Sequence, residues 1–109
     1  MNLDTKSFGR ALADARKRKG ISQKELAATI LKEDGVPITP QYLNDIEHDR
    51  RSPSSDHLVK QFAAVLEIKE DVLYWLADRL PPDARERAAT PEQVESAFVA
   101  FRRALHGRK

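Results

Sequence analysis

The sequence predicts an all-α protein, a five-helix domain followed by one further C-terminal helix. Three observations carry this reading. Apolar residues recur at helical spacing along most of the chain, and no segment alternates apolar and polar residues over a strand's length. Cap and stop signals divide the pattern into helix-sized pieces. Glycine is scarce, with 4 in 109 residues.

The first helix is expected from about Thr5 to Lys19. Phe8, Leu12 and Ala15 share one face, and Gly20 follows as a C-terminal stop. Arg16-Lys17-Arg18-Lys19 falls in the last turn, where cations favour the negative end of the helix dipole. The second helix opens on Ser22-Gln23-Lys24-Glu25, a capping box, with Ile21 and Leu26 placed to form a hydrophobic staple. Its buried face is expected to be Leu26, Ala27, Ile30 and Leu31. The helix fades at Lys32-Glu33-Asp34-Gly35, and Val36-Pro37-Ile38 reads as loop.

A third helix begins at Thr39 with Pro40 in the first helical position, where its missing N–H does no harm. It carries Leu43, Ile46 and Glu47 and ends near His48-Asp49. After the polar loop Asp49–Pro53, Ser54 or Ser55 caps a fourth helix bearing Leu58, Phe62, Val65 and Leu66. A break at Glu67-Ile68 leads to a fifth helix from about Lys69 to Leu80. Pro81-Pro82 ends it, and 81–89 reads as a charged, alanine-rich linker. Thr90-Pro91-Glu92-Gln93 is another start signal, for a sixth helix reaching about His106 before Gly107. The expected organisation is a domain over 1–80, a linker over 81–89 and a C-terminal helix in 90–109.

Composition narrows the function. A single domain runs to roughly 100–150 residues, so the length fits one domain with a short appendage. The 40% hydrophobic and 33% charged residues suit a globular chain with a small core. With no cysteine, disulfides, thiolate zinc sites and cysteine nucleophiles are excluded. The longest apolar run is Val72–Ala77, far short of the about 20 residues a membrane helix needs. Met1–Thr5 has no apolar signal-peptide core, so a cytoplasmic protein without a membrane partner is expected. Net charge is +2, from 19 basic and 17 acidic residues. Such a charge permits a nucleic-acid partner but does not argue for one. Placement of the charges must decide.

Four fragments in order identify a likeness: Phe8…Leu12…Arg16, then Gly20-Ile21-Ser22-Gln23-Lys24-Glu25-Leu26-Ala27, then Tyr42-Leu43-Asn44-Asp45-Ile46-Glu47, then Arg50-Arg51-Ser52-Pro53-Ser54. With Phe62-Ala63-Ala64-Val65-Leu66 behind them, the stretch Phe8–Leu80 resembles the lambda-repressor-like, XRE-type helix-turn-helix regulators of bacteria and phages. Two departures stand out. The 21 positions from Leu26 to Glu47 exceed the family's usual spacing, and the extra residues fall in Glu33–Ile38, enlarging the turn. Asp49 stands where the family usually has glycine, and aspartate tolerates the left-handed conformation there.

The resemblance implies a sequence-specific binder of double-stranded DNA that regulates transcription, as a repressor, with the helix from about Thr39 to His48 in the major groove. Its N-terminal part, Thr39, Pro40, Gln41, Tyr42, Asn44 and Asp45, is then the expected base-reading set. The family's base-contacting positions match Pro40, Gln41 and Asp45. Gln41 and Asn44 can each bond adenine in bidentate fashion, and Asp45 can accept from cytosine. Gln41 ranks above Asn44, and both rank above Asp45, whose carboxylate phosphates repel. Ser22 and Gln23 at a helix start, and Arg50 and Arg51 after the reading helix, are the expected phosphate contacts. In the family, the arginine at the position of Arg16 pairs with the glutamate at that of Glu47, which makes this pair structural. The bland alternatives are solvated helix residues for Gln41 and Asn44, a plain cap for Ser22, and an ordinary loop pair for Arg50-Arg51.

Val94, Phe98, Phe101 and Leu105 form a 4-3-4 apolar stripe on the last helix. The helix either folds back on its own domain or pairs with a second copy, giving a homodimer. An antitoxin or adaptor that holds a partner protein through this helix is the alternative function. Catalysis is not expected. Gly-x-Ser-x-Gly, a phosphate-binding glycine loop and His-Glu-x-x-His are all absent. His48, His57 and His106 lack metal-ligand spacing, and no cofactor is expected.

Overall fold

A computed structural model describes residues 7–87 and 90–106. Among them are seven helices: α1 (Phe8–Lys19), α2 (Gln23–Thr29), α3 (Pro40–Glu47), α4 (Asp56–Leu66), α5 (Glu70–Leu76), α6 (Pro82–Arg87) and α7 (Pro91–His106). The chain divides between Arg79 and Leu80 into two units.

In the first unit, α1, α2, α3, α4 and α5 enclose a single apolar core. Leu12, Leu26, Ile30, Leu43, Ile46, Val59, Phe62 and Leu73 are fully inaccessible, and the rings of Phe8 and Phe62 meet edge to face at 6.2 Å. Local chemistry sets the helix ends. Ser7 caps α1, its hydroxyl accepting from the Arg10 amide, so the helix starts at Phe8; the Thr5 start expected from sequence lies outside the described residues. Gly20 ends α1 at φ +72°. The Ser22–Glu25 box caps α2 in both directions, and Thr39 caps α3 ahead of Pro40.

The enlarged turn holds the main surprise. The second helix stops at Thr29, and Ile30–Ile38 forms a small hairpin instead. Leu31 bridges Pro37, the Ile38 amide donates to the Ile30 carbonyl, and Gly35 turns the tip at φ +83°. Leu31 is therefore exposed rather than on a buried face, and Ile38, read as loop, is buried in the core. Side chains of α4 fasten the hairpin. Gln61 Oε1 accepts from the Leu31 amide at 2.9 Å, and His57 Nε2 lies 2.8 Å from the Leu31 carbonyl.

The fifth helix also ends early, at Leu76. Asp78 takes φ +57°, and the chain turns back so that Arg79 reaches Asp56 at 2.9 Å and the Pro53 carbonyl at 3.1 Å. Those two bonds hold the turn in place of further helix.

In the second unit, the segment read as linker contains α6, and Arg85 donates to the Leu80 carbonyl. Ala88 and Ala89 lie outside the described residues. Ahead of α7, Thr90 and Gln93 exchange the two bonds of a capping box at 3.0 and 3.1 Å. No residue of α7 is buried; Val94 and Phe98 are 41% and 40% exposed. Gly107, the expected stop, lies outside the described residues. No described helix is long and apolar enough to cross a membrane.

Candidate nucleic-acid interface

The inner face of α3 is fixed by one polar network. Arg16 Nε donates to Glu47 Oε2 at 2.7 Å, and Arg16 Nη2 donates to Oε1 at 3.0 Å. Arg16 Nη1 binds the Ile21 carbonyl at 3.0 Å, so one guanidinium ties α1, the α2 entrance and α3. The fork-on-fork geometry is that of a strong charge-assisted pair. Glu47 is buried, with a side chain only 3% exposed. Its hydrogen bond holds the Arg16 pKa above the ordinary guanidinium value, against the opposing pull of burial and with help from the glutamate charge.

Gln23 completes the network. Its amide nitrogen donates to Glu47 Oε1 at 2.8 Å and to Asn44 Oδ1 at 3.1 Å. Both amide hydrogens are thereby committed inward, leaving the side chain none for a phosphate in this arrangement. Asn44 is correspondingly half-buried, with its oxygen engaged. This link had no separate signature in the sequence, because the enlarged turn hides which residues of α3 face the start of α2.

On the outer face, Gln41 is exposed and sits one turn before Asp45. Asp45 Oδ1 accepts from Gln41 Nε2 at 3.0 Å, from Arg50 Nε at 3.1 Å and from Arg50 Nη2 at 3.1 Å. Arg51 Nε stands 3.7 Å from the other carboxylate oxygen. The arginine side chains are 54% and 62% exposed, and such surface pairs contribute about 0–1 kcal/mol. The arginines can therefore be redirected at small cost. Gln41 keeps its carbonyl oxygen and one amide hydrogen, the pair a bidentate bond to adenine requires.

The other expected readers diverge. Thr39 Oγ1 accepts from the Tyr42 amide as a cap, and Pro40 occupies the first turn. Tyr42 packs against the core with its hydroxyl buried and without a hydrogen-bond partner among the described residues, and the Arg51 guanidinium lies 5.7 Å from its ring centre. Thus Gln41, Asp45, Arg50 and Arg51 are brought together, while Tyr42 and Asn44 turn to either side.

Gly9 and Asp49 set how closely α1 approaches α3. Asp49, at φ +61°, accepts from the Ser7 hydroxyl at 2.6 Å and from the Gly9 amide at 3.1 Å. A Cβ on Gly9 would meet the backbone carbonyls of Ile46 and Glu47. A glycine inside a helical pattern was the available signal for this contact.

A helix-turn-helix family model matches residues 12–73, more than half of the chain, including Arg16, Gln23, Asn44 and Glu47 of the inner network. The chain is an XRE-type helix-turn-helix protein. As such it is a DNA-binding regulator, and double-stranded DNA is its partner. No curated protein and no solved structure matches it. Among the described residues, no group of three His, Asp or Glu side chains is placed to hold a metal ion.

Proposed function

We propose that this XRE-type protein is a cytoplasmic, non-enzymatic repressor that recognises a two-fold duplex site as a homodimer, with α3 in the major groove. One observation carries the reading: exposed Gln41 stands at the start of a helix locked from behind by Glu47 and flanked by two releasable arginines. A rigid reader beside loosely held cations is what base selection with backbone anchoring needs. Arg50 and Arg51 supply the phosphate contacts; Gln41 reads, with Asp45 orienting it.

The dimer is assigned to α7. Val94, Phe98 and Leu105 lie along one stripe at 40–56% exposure, and Phe101 continues it. Burying one phenylalanine contributes about 1.5–3 kcal/mol, so paired stripes supply much of an association energy. Linking two half-sites also raises the effective concentration of the second contact.

Selection from a random duplex library tests the whole reading. A recovered site with two inverted half-sites, centred about 34 Å or a multiple of it apart, supports it. Recovery of no preferred sequence favours the second reading, an adaptor or antitoxin whose α7 stripe holds a partner protein. Sedimentation of Val94→Ser with Phe98→Ser tests the dimer. Folded monomers are expected, and a persistent dimer would place the interface elsewhere.

A further inference from the structure

The inserted hairpin builds a cleft that the proposed reading has not used. It opens between the hairpin, the start of α3 and the loop leading to α4, and encloses about 510 Å³. Lys32, Arg51, Ser52 and Ser54 line its sides, over apolar Ile38 and Leu58. Two cations line it and no carboxylate does. Among the described residues, Lys32 has no ion pair and Arg51 is held only by the 3.7 Å approach to Asp45 and by the Tyr42 ring.

The division of chemistry matches one kind of ligand. A sugar–phosphate unit of DNA carries an anionic phosphate on a largely apolar deoxyribose. Cations and hydroxyls suit the first, and the Ile38–Leu58 floor suits the second. Position agrees with chemistry, since Thr39 and Tyr42 in the cleft wall come from the start of α3, and Arg51 stands between the cleft and Asp45 on the outer face of that helix. We infer that the cleft seats one sugar–phosphate unit of the bound DNA backbone, its phosphate between Lys32 and Arg51. The insertion then extends the footprint beyond the helix-turn-helix itself. This rests on the DNA-binding reading and adds a contact to it.

Lys32→Ala and Lys32→Gln test the inference by salt titration on the selected duplex and on a scrambled one. Lys32 is exposed in a turn, and both variants are checked by thermal melting. One lost phosphate contact should flatten the slope of log K against log salt by about 0.9, equally on both duplexes. Phosphate-ethylation interference should lose a single position in each variant, with the others retained. A full wild-type slope in both variants overturns the seat while leaving the general reading intact. Failure of the wild-type protein to bind any duplex overturns both. Saturable binding of inorganic phosphate by the DNA-free protein, abolished in Lys32→Ala while the DNA slope stays unchanged, would make the cleft a small-anion site and also overturn the inference.

Discussion

Replacing Glu47 by alanine removes the residue on which three elements converge. Two charge-assisted bonds from Arg16 and one bond from Gln23 end on its carboxylate. Removing one partner of a buried ion pair costs about 3–5 kcal/mol. Arg16 keeps 12% of its side-chain surface and its bond to the Ile21 carbonyl, so the stranded charge is partly solvated. The lower end, about 3 kcal/mol, is therefore expected. For a domain of this size, 1 kcal/mol moves Tm by about 4–8 °C, giving a fall of roughly 12–24 °C. Circular dichroism melting of Glu47→Ala reads it directly, and the double variant Arg16→Met with Glu47→Leu provides the control. Replacing both charges by apolar groups should recover most of the loss, since the penalty comes from the unpaired charge. A fall below about 3 °C in the single variant, or a double variant no better than the single, would refute the network's role.

Three further outcomes follow from the same geometry. Gly9→Ala should destabilise by about 1–3 kcal/mol although alanine favours helix, because the new Cβ meets backbone, with the Glu47 carbonyl at 2.7 Å; a raised Tm would contradict the close approach. The Arg16 pKa is raised in the folded state, so its contribution is full below the unfolded value and is lost only as pH climbs through the still higher folded value. Melting of wild type and Glu47→Ala between about pH 7 and about pH 10 should therefore show a constant difference, because the guanidinium keeps its proton throughout that range. Gln41→Ala should lose roughly 1–3 kcal/mol on the selected site and relax selection at one base pair; equal loss on scrambled DNA would remove it as a reader.

The punctuation of the chain was legible because it is local. Ser22, Thr39-Pro40, Gly20 and the Thr90–Gln93 box fix helix ends through contacts within a few residues. The Arg16–Glu47 contact followed from likeness to a family, since nothing at a separation of 31 residues announces itself in one sequence. What stayed hidden depends on tertiary geometry. Ile38 is apolar in a polar stretch, yet only the hairpin's register on Ile30 shows that it points inward. Gln23 reads as a helix-start residue free to meet a phosphate, but the docking of α2 on α3 turns its amide toward Asn44 and Glu47. The early end of α5 likewise depends on Arg79 finding Asp56 and Pro53 across the fold.

The central claim, that α3 reads a DNA sequence, is tested most directly by one ratio of affinities. Full-length protein is titrated against the library-selected duplex and a scrambled duplex of equal length at about 0.15 M salt. Specific recognition predicts a preference of at least about 10³-fold for the selected duplex, with both affinities falling as salt rises. Equal affinity for the two duplexes would contradict the account, leaving α3 as a structural helix on a protein that binds DNA by charge alone.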